Sequence, residues 1–250
     1  MIKVKKHQTS FYLLLPLALL HFLSCRSFGE TNDFVMHKKK GKLIALVGIS
    51  GSGKSTLTKE LALLTRARIF LEPEEKDWPE LITRSEIYGE FSAMSALRNI
   101  RVKNLYDALK SRNEGHTVII DSYYDHITSY YLEKPGMEWL ISPRDPYFEA
   151  AKLMVDTDAK FLPNVDCLVL LDIDIQTWKS FIKSRNRERD MVPGFQESVF
   201  SYRGYIEAAA LKLAEERGVK LIRFEQVKAN AKDQASLLKQ VLINEKVLEL

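Results

Sequence analysis

The sequence predicts an α/β fold, a three-layer arrangement with a five-stranded parallel sheet flanked by helices. Three observations carry this. From residue 42 onward, short apolar runs alternate with longer amphipathic segments, which is the rhythm of βα units. The apolar runs are continuous rather than alternating, as in strands covered on both faces. The first of them runs straight into Gly48-Ile49-Ser50-Gly51-Ser52-Gly53-Lys54-Ser55, a glycine-rich loop set between a strand and a helix.

Taken in order, strands are expected over residues 43–47, 68–71, 117–121, 165–171 and 220–224. Helices are expected over 54–65, 85–112, 147–160, 176–186, 196–217 and 233–247. Gly115 and Gly218 stand where helices should stop before the next strand, because glycine adopts the left-handed conformation that ends a helix. No internal repeat, low-complexity tract or linker interrupts residues 36–250, so one domain is the economical expectation.

Composition narrows the function classes. With 250 residues, 46% of them hydrophobic and 28% charged, the chain can build a full core and is not a disordered sequence. Its formal charge is +4, yet residues 1–40 hold seven basic side chains against two acidic ones, which leaves residues 41–250 near −1. A nucleic-acid surface is therefore not indicated. Cys25 and Cys167 lie far apart with no metal-ligand spacing, so neither a disulfide framework nor a zinc site is expected.

Residues 1–35 read as a leader. Three lysines precede the apolar stretch from Phe11 to Leu20, the layout of a secretory signal and too short for a comfortable membrane span. Ser24-Cys25 loosely resembles a bacterial lipoprotein cleavage site, and a basic, acid-free start also suits an organelle transit peptide. Alternatively, translation starts at Met36, whose Met-His-Lys-Lys-Lys leads into the first strand as in a cytoplasmic enzyme.

The chemistry centres on the glycine-rich loop. Gly48, Ser50, Gly51, Ser52, Gly53, Lys54, Ser55 and Thr56 are expected to cradle the phosphates of ATP, because glycines let successive N–H groups face an anion. Lys54 should reach the outer phosphates, the helix N-terminus adds partial positive charge, and Ser55 should hold Mg²⁺. Asp121 ends the run Thr117-Val118-Ile119-Ile120 and is the expected second metal group, with Asp172 and Asp174 as rivals. Glu72, fixed by Pro73, is the candidate to orient an acceptor hydroxyl and take its proton. Arg185 and Arg187, in the basic segment 183–190 before the hinge Pro193-Gly194, can neutralise the transferring phosphoryl group from a mobile flap.

With these residues in hand, the chain resembles the deoxynucleoside kinases and, a little less, the thymidylate kinases. The likeness runs from about Lys42 to Phe224. Glu72-Pro73 with Trp78 is similar to the Glu-Pro-x-x-x-Trp of deoxynucleoside kinases with one extra residue, and the segment from Arg185 to Asp190 is similar to their Arg-x-Arg-x-Glu-Glu lid. The resemblance implies a P-loop kinase fold with an arginine-rich lid, Glu72 as general base, Arg185 and Arg187 on the phosphates, a small-molecule acceptor and, as is common in these families, a homodimer. Two departures stand out. Asp121-Ser122-Tyr123 lacks the arginine expected at position 122, for which Arg98 or Arg101 can substitute, and Phe91-Ser92 lacks the base-reading glutamine. Trp78, Tyr88, Phe91 and Tyr123 remain as aromatics able to stack on a base.

Three readings follow: a deoxynucleoside kinase; a thymidylate-type nucleotide kinase, with Arg84, Arg98 and Arg101 for the acceptor phosphate; and a nucleotide-binding protein without turnover, anchored through Cys25.

Overall fold

A computed structural model describes residues 39–185, 187, 190 and 194–249. Residues 1–38, with Cys25 and Met36, lie outside the described residues, as do Asn186, Glu188 and Arg189 of the basic segment and Pro193 of the expected hinge. Five strands form one parallel sheet: β1 (Leu43–Val47), β2 (Arg68–Phe70), β3 (Val118–Ile120), β4 (Cys167–Ile173) and β5 (Lys220–Gln226), in the order β2-β3-β1-β4-β5. Helices connect them: α1 (Lys54–Thr65), α2 (Glu80–Thr83), α3 (Ser85–Tyr88), α4 (Glu90–Asn113), α5 (Phe148–Phe161), α6 (Ile175–Arg185), α7 (Phe195–Ser201), α8 (Arg203–Arg217) and α9 (Ala231–Asn244). Among the described residues no helix is long and apolar enough to cross a membrane.

The two-residue period of a strand explains why β1 is apolar at every position. Leu43, Ala45 and Val47 pack with Leu105 and Ala108 of α4 and with Ile206 and Ala209 of α8, whereas Ile44 and Leu46 pack with Leu57 and Leu61 of α1 and Ala235 and Leu238 of α9. Both faces are therefore dry, and all five residues of β1 are buried. The edges differ from expectation. Arg68 and Ile69 of β2 are exposed, and β5 alternates buried with exposed along Ile222 to Gln226, because an edge strand is covered less completely than the centre.

Several element boundaries also depart from the sequence expectation. The helix expected over 85–112 breaks at Gly89, where φ is 87° and ψ 148°, a backbone that L side chains rarely adopt. The stretch 196–217 is two helices meeting at Tyr202. Strand β4 starts two residues later than expected and runs on to Ile173. Gly218, with φ 62°, ends α8 by donating its N–H to Ala214 O, as its position predicts.

Register delivers the site. Phe70 pairs with Ile120, and Ala45 pairs with the same residue from the other side. The chain thus leaves β1, β2 and β3 at one level, putting the glycine-rich loop, Glu72 and Asp121 on one carboxyl edge where the strand order reverses.

Behind that edge, His126 is buried and stacks on Tyr123 with ring centroids 3.8 Å apart. Its Nε2 lies 3.0 Å from Pro163 O, so Nε2 carries the proton. Burial pulls its pKa down to about 4, against the opposing pull of the Pro163 hydrogen bond. A group depressed by folding supports stability above its ordinary pKa near 6.5 and withdraws that support as pH falls towards 4. Urea-unfolding free energy is expected to decline over this window by roughly 3 kcal/mol at most from this group. The decline should flatten in His126→Gln; an equal slope in the variant assigns it to other groups.

Candidate active site

The loop after β1 turns on two glycines. Gly51 has φ 80° and Gly53 φ 83°, and a Cβ on Gly51 would sit 2.3 Å from Ile182 Cδ1. Trp178 of α6, fully buried, donates its Nε1–H to Ser50 O at 2.8 Å and fastens the loop from outside. Lys54 opens α1 and folds back over the loop, its Nζ donating to Gly48 O and Ile49 O, both at 2.9 Å. Burial pulls this ammonium down to about 8, while Asp121 and Glu72 act in the opposite sense.

Ser55, one residue further, donates its hydroxyl to Asp121 Oδ2 at 2.6 Å. The other oxygen of Asp121 accepts the backbone N–H of Glu72 at 2.8 Å. Asp121 therefore joins the loop to the end of β2, as the register dictates. Asn104 of α4 donates to Leu71 O at 3.0 Å, and Trp78 donates its Nε1–H to Pro73 O at 2.9 Å. These two bonds fix the turn that carries Glu72.

Glu72 then meets α4. Arg101 reaches Glu72 Oε1 through Nη1 at 3.3 Å and grips both oxygens of Asp125 at 2.9 Å. Burial lowers the Arg101 pKa, but Asp125 and Glu72 more than offset it and hold the guanidinium charged. One turn earlier on α4, Arg98 forks onto Asp158 at 2.8 and 2.6 Å. Such paired, planar contacts are the strong ones.

The loop, Glu72, Asp121, Arg98, Arg101 and Asp125 line one cleft of about 1130 Å³. One half surrounds the glycine-rich loop. The other lies between α4, the 128–142 segment, α5 and α7–α8, where Met94, Leu97, Met137, Leu140 and Met154 supply apolar walls. Charges in this second half come from Glu90, Arg98, Arg101 and Asp125, with Glu72 at its border and Asp158 behind Arg98. Among the described residues, two cations line this half against three carboxylates, with Asp158 held behind Arg98.

The basic segment reaches the cleft from α6. Arg185 pairs with the buried Asp190 and donates to Ser50 Oγ at 3.3 Å, while Arg187 lies 3.8 Å from Glu75. Both arginines line the cleft.

Several candidates lie elsewhere. Tyr123 is in the core against His126, its hydroxyl accepting the Val165 N–H at 3.3 Å, because the chain turns at Asp121 and sends the next residue, Tyr124, into the cleft. Phe91 stacks on Tyr147 outside the cleft lining, with centroids 5.5 Å apart, and Tyr88 is exposed. Asp172 is held by Arg203 and Arg223, and Asp174 caps α6 by accepting the N–H groups of Gln176 and Thr177. Arg84 pairs with Glu80 and Glu86 at the surface. Tyr124 and Asp125 were the residues the sequence did not single out; their only signal is that they follow Asp121 closely.

No family model matches the chain. A thymidylate kinase of Xylella fastidiosa (strain M23) is 31% identical over 142 residues, 53% of this chain and 59% of that protein. One from Xanthomonas campestris pv. campestris (strain B100) is 32% identical over 156 residues, 58% of this chain and 62% of its own length. The chain thus matches about three-fifths of these relatives. Among solved structures, a thymidylate kinase from Candida albicans superposes with a TM-score of 0.57 at 15% identity, covering 84% of this chain and 94% of that one. A deoxyadenosine kinase from M. mycoides with bound dATP gives 0.55 at 18% identity, covering 80% and 98%. A shikimate kinase from Acinetobacter baumannii gives 0.53 at 16%, covering 84% and 97%. The five-stranded parallel sheet with its flanking helices is the fold of the P-loop kinases.

Proposed function

We propose that the chain transfers the γ-phosphoryl group of ATP to a hydroxyl of a deoxynucleoside. The observation that carries this reading is the placement of Glu72 beside Asp121, between a phosphate-binding loop and an acceptor half with more carboxylates than cations. Glu72 orients the hydroxyl and receives its proton as the phosphorus–oxygen bond forms. Lys54, Arg185 and Arg187 stabilise charge on the phosphates. A carboxylate-rich acceptor half suits a neutral acceptor, since a dianion would meet like charge.

Mg²⁺ fits the oxygens present. Ser55 donates its proton to Asp121, which leaves a hydroxyl lone pair for a hard cation at the mouth of the loop. Among the described residues no cluster of three metal-ligating side chains occurs, in keeping with an ion held mostly by phosphate and water. When bound, such an ion supplies neutralising charge on the phosphate oxygens.

A second reading, phosphorylation of a nucleoside monophosphate, is favoured by the names of the curated relatives, all thymidylate kinases. Arg98 and Arg101 would then give up part of their carboxylate pairing to an acceptor phosphate. The test is a coupled ATP-consumption assay of the full chain against deoxynucleosides, ribonucleosides and their monophosphates. Turnover on deoxynucleosides alone is expected; turnover confined to monophosphates replaces the first reading with the second. ATP binding with silence across the panel removes both and leaves a nucleotide-binding protein.

A further inference from the structure

Tyr124 has no assigned role, yet it touches both halves of the cleft. Its phenol lines the cleft and donates its O–H to Gly48 O at 2.6 Å, the same carbonyl that accepts from Lys54 Nζ at 2.9 Å. The ring meets two cations: Lys54 Nζ stands 5.5 Å from its centroid and the Arg101 guanidinium carbon 5.8 Å. One cation belongs to the phosphate-binding loop and the other to the group that holds Glu72.

We propose that Tyr124 is a positioning residue of the phosphoryl-transfer centre, sharing its ring between Lys54 and Arg101 and its hydroxyl with the carbonyl that Lys54 must release. This rests on the kinase reading above and adds to it a residue that touches no reacting atom. Two like charges drawn to one aromatic ring are held at a set separation despite their repulsion, since the ring quadrupole attracts each. When phosphate enters, Lys54 has to leave Gly48 O and Ile49 O. A carbonyl stripped of its only donor is costly in a buried setting. Gly48 O keeps the Tyr124 hydroxyl, so the lysine is freed at lower cost. The ring thus bears on turnover and the hydroxyl on ATP binding.

Tyr124→Phe and Tyr124→Leu separate the two. In the full chain, Tyr124→Phe is expected to weaken binding of a non-hydrolysable ATP analogue roughly 5- to 10-fold, the scale of one hydrogen bond, with kcat within about 3-fold of wild type. Tyr124→Leu should in addition lower kcat at saturating substrates by roughly 10- to 100-fold, the scale of two cation–ring contacts. Restoration of kcat by the Phe ring is a readout that a merely structural role would not give. Equal kcat for the Leu and wild-type proteins, or equal damage to kcat in both variants, overturns the role of the ring. Unchanged analogue binding in Tyr124→Phe overturns the role of the hydroxyl, and this binding measurement stands even if Tyr124→Leu does not fold. Because it needs no acceptor, it also decides the matter if the panel shows no turnover, in which case the kinase reading fails and the loop-release role is judged alone.

Discussion

The Glu72→Gln variant is expected to turn over about 10²- to 10⁴-fold more slowly than wild type while binding ATP within a few-fold, the range for loss of a positioned general base. The amide keeps the size of the carboxylate and can still accept from Arg101, and the Glu72 backbone N–H still donates to Asp121. What disappears is the ability to take a proton. Steady-state kinetics at saturating ATP and acceptor, with ATP binding measured separately, make the check. A rate within threefold of wild type would remove Glu72 from the mechanism and leave its contact with Arg101 as a structural bridge.

Lys54→Met should cost about 10³-fold in kcat/KM, since it removes a charge preorganised for the transferring group. Stability is expected to move the other way. Folding depresses the Lys54 pKa from 10.5 to about 8, chiefly by burial. A charged lysine is thus disfavoured by the fold at pH 7, and this penalty fades as pH rises towards 10.5. The ligand-free variant should melt at or above the wild-type temperature at pH 7, with the difference closing at high pH. Wild-type ATP affinity should stay level below about pH 8 and weaken above it, where binding must first protonate the lysine. A variant that melts several degrees lower would show that the two carbonyl contacts of Lys54 outweigh its desolvation.

The centre of the molecule was legible because local signals and tertiary demands coincide there. Strand β1 and helix α1 agree residue for residue with the sequence expectation, since a five-residue apolar run leading directly into a glycine-rich loop and a helix suits a covered strand. The long helix was over-read because Gly89 lies within an otherwise helical stretch, and only its backbone angles reveal the break. The choice between Tyr123 and Tyr124 was not legible: strand alternation stops at Ile120, and the turn that follows decides which ring enters the cleft. Arg98 and Arg101 were found as cations, but their partners Asp158 and Asp125 come from other elements and carry no spacing signal. That pairing changes their meaning from free anion sites to neutralised forks.

On the proposed nucleoside-kinase reading, the excess of carboxylates around the acceptor half has a consequence for the end of the reaction cycle. An acceptor that enters uncharged leaves with a phosphate group, and the walls that tolerated it before transfer then repel it. Arg98 and Arg101, both engaged by Asp158 and Asp125, have little charge left to retain it. Product departure from such an enzyme would be driven by the same side chains that shape substrate entry, and accumulated product should obstruct it least when salt is low and that repulsion is unscreened.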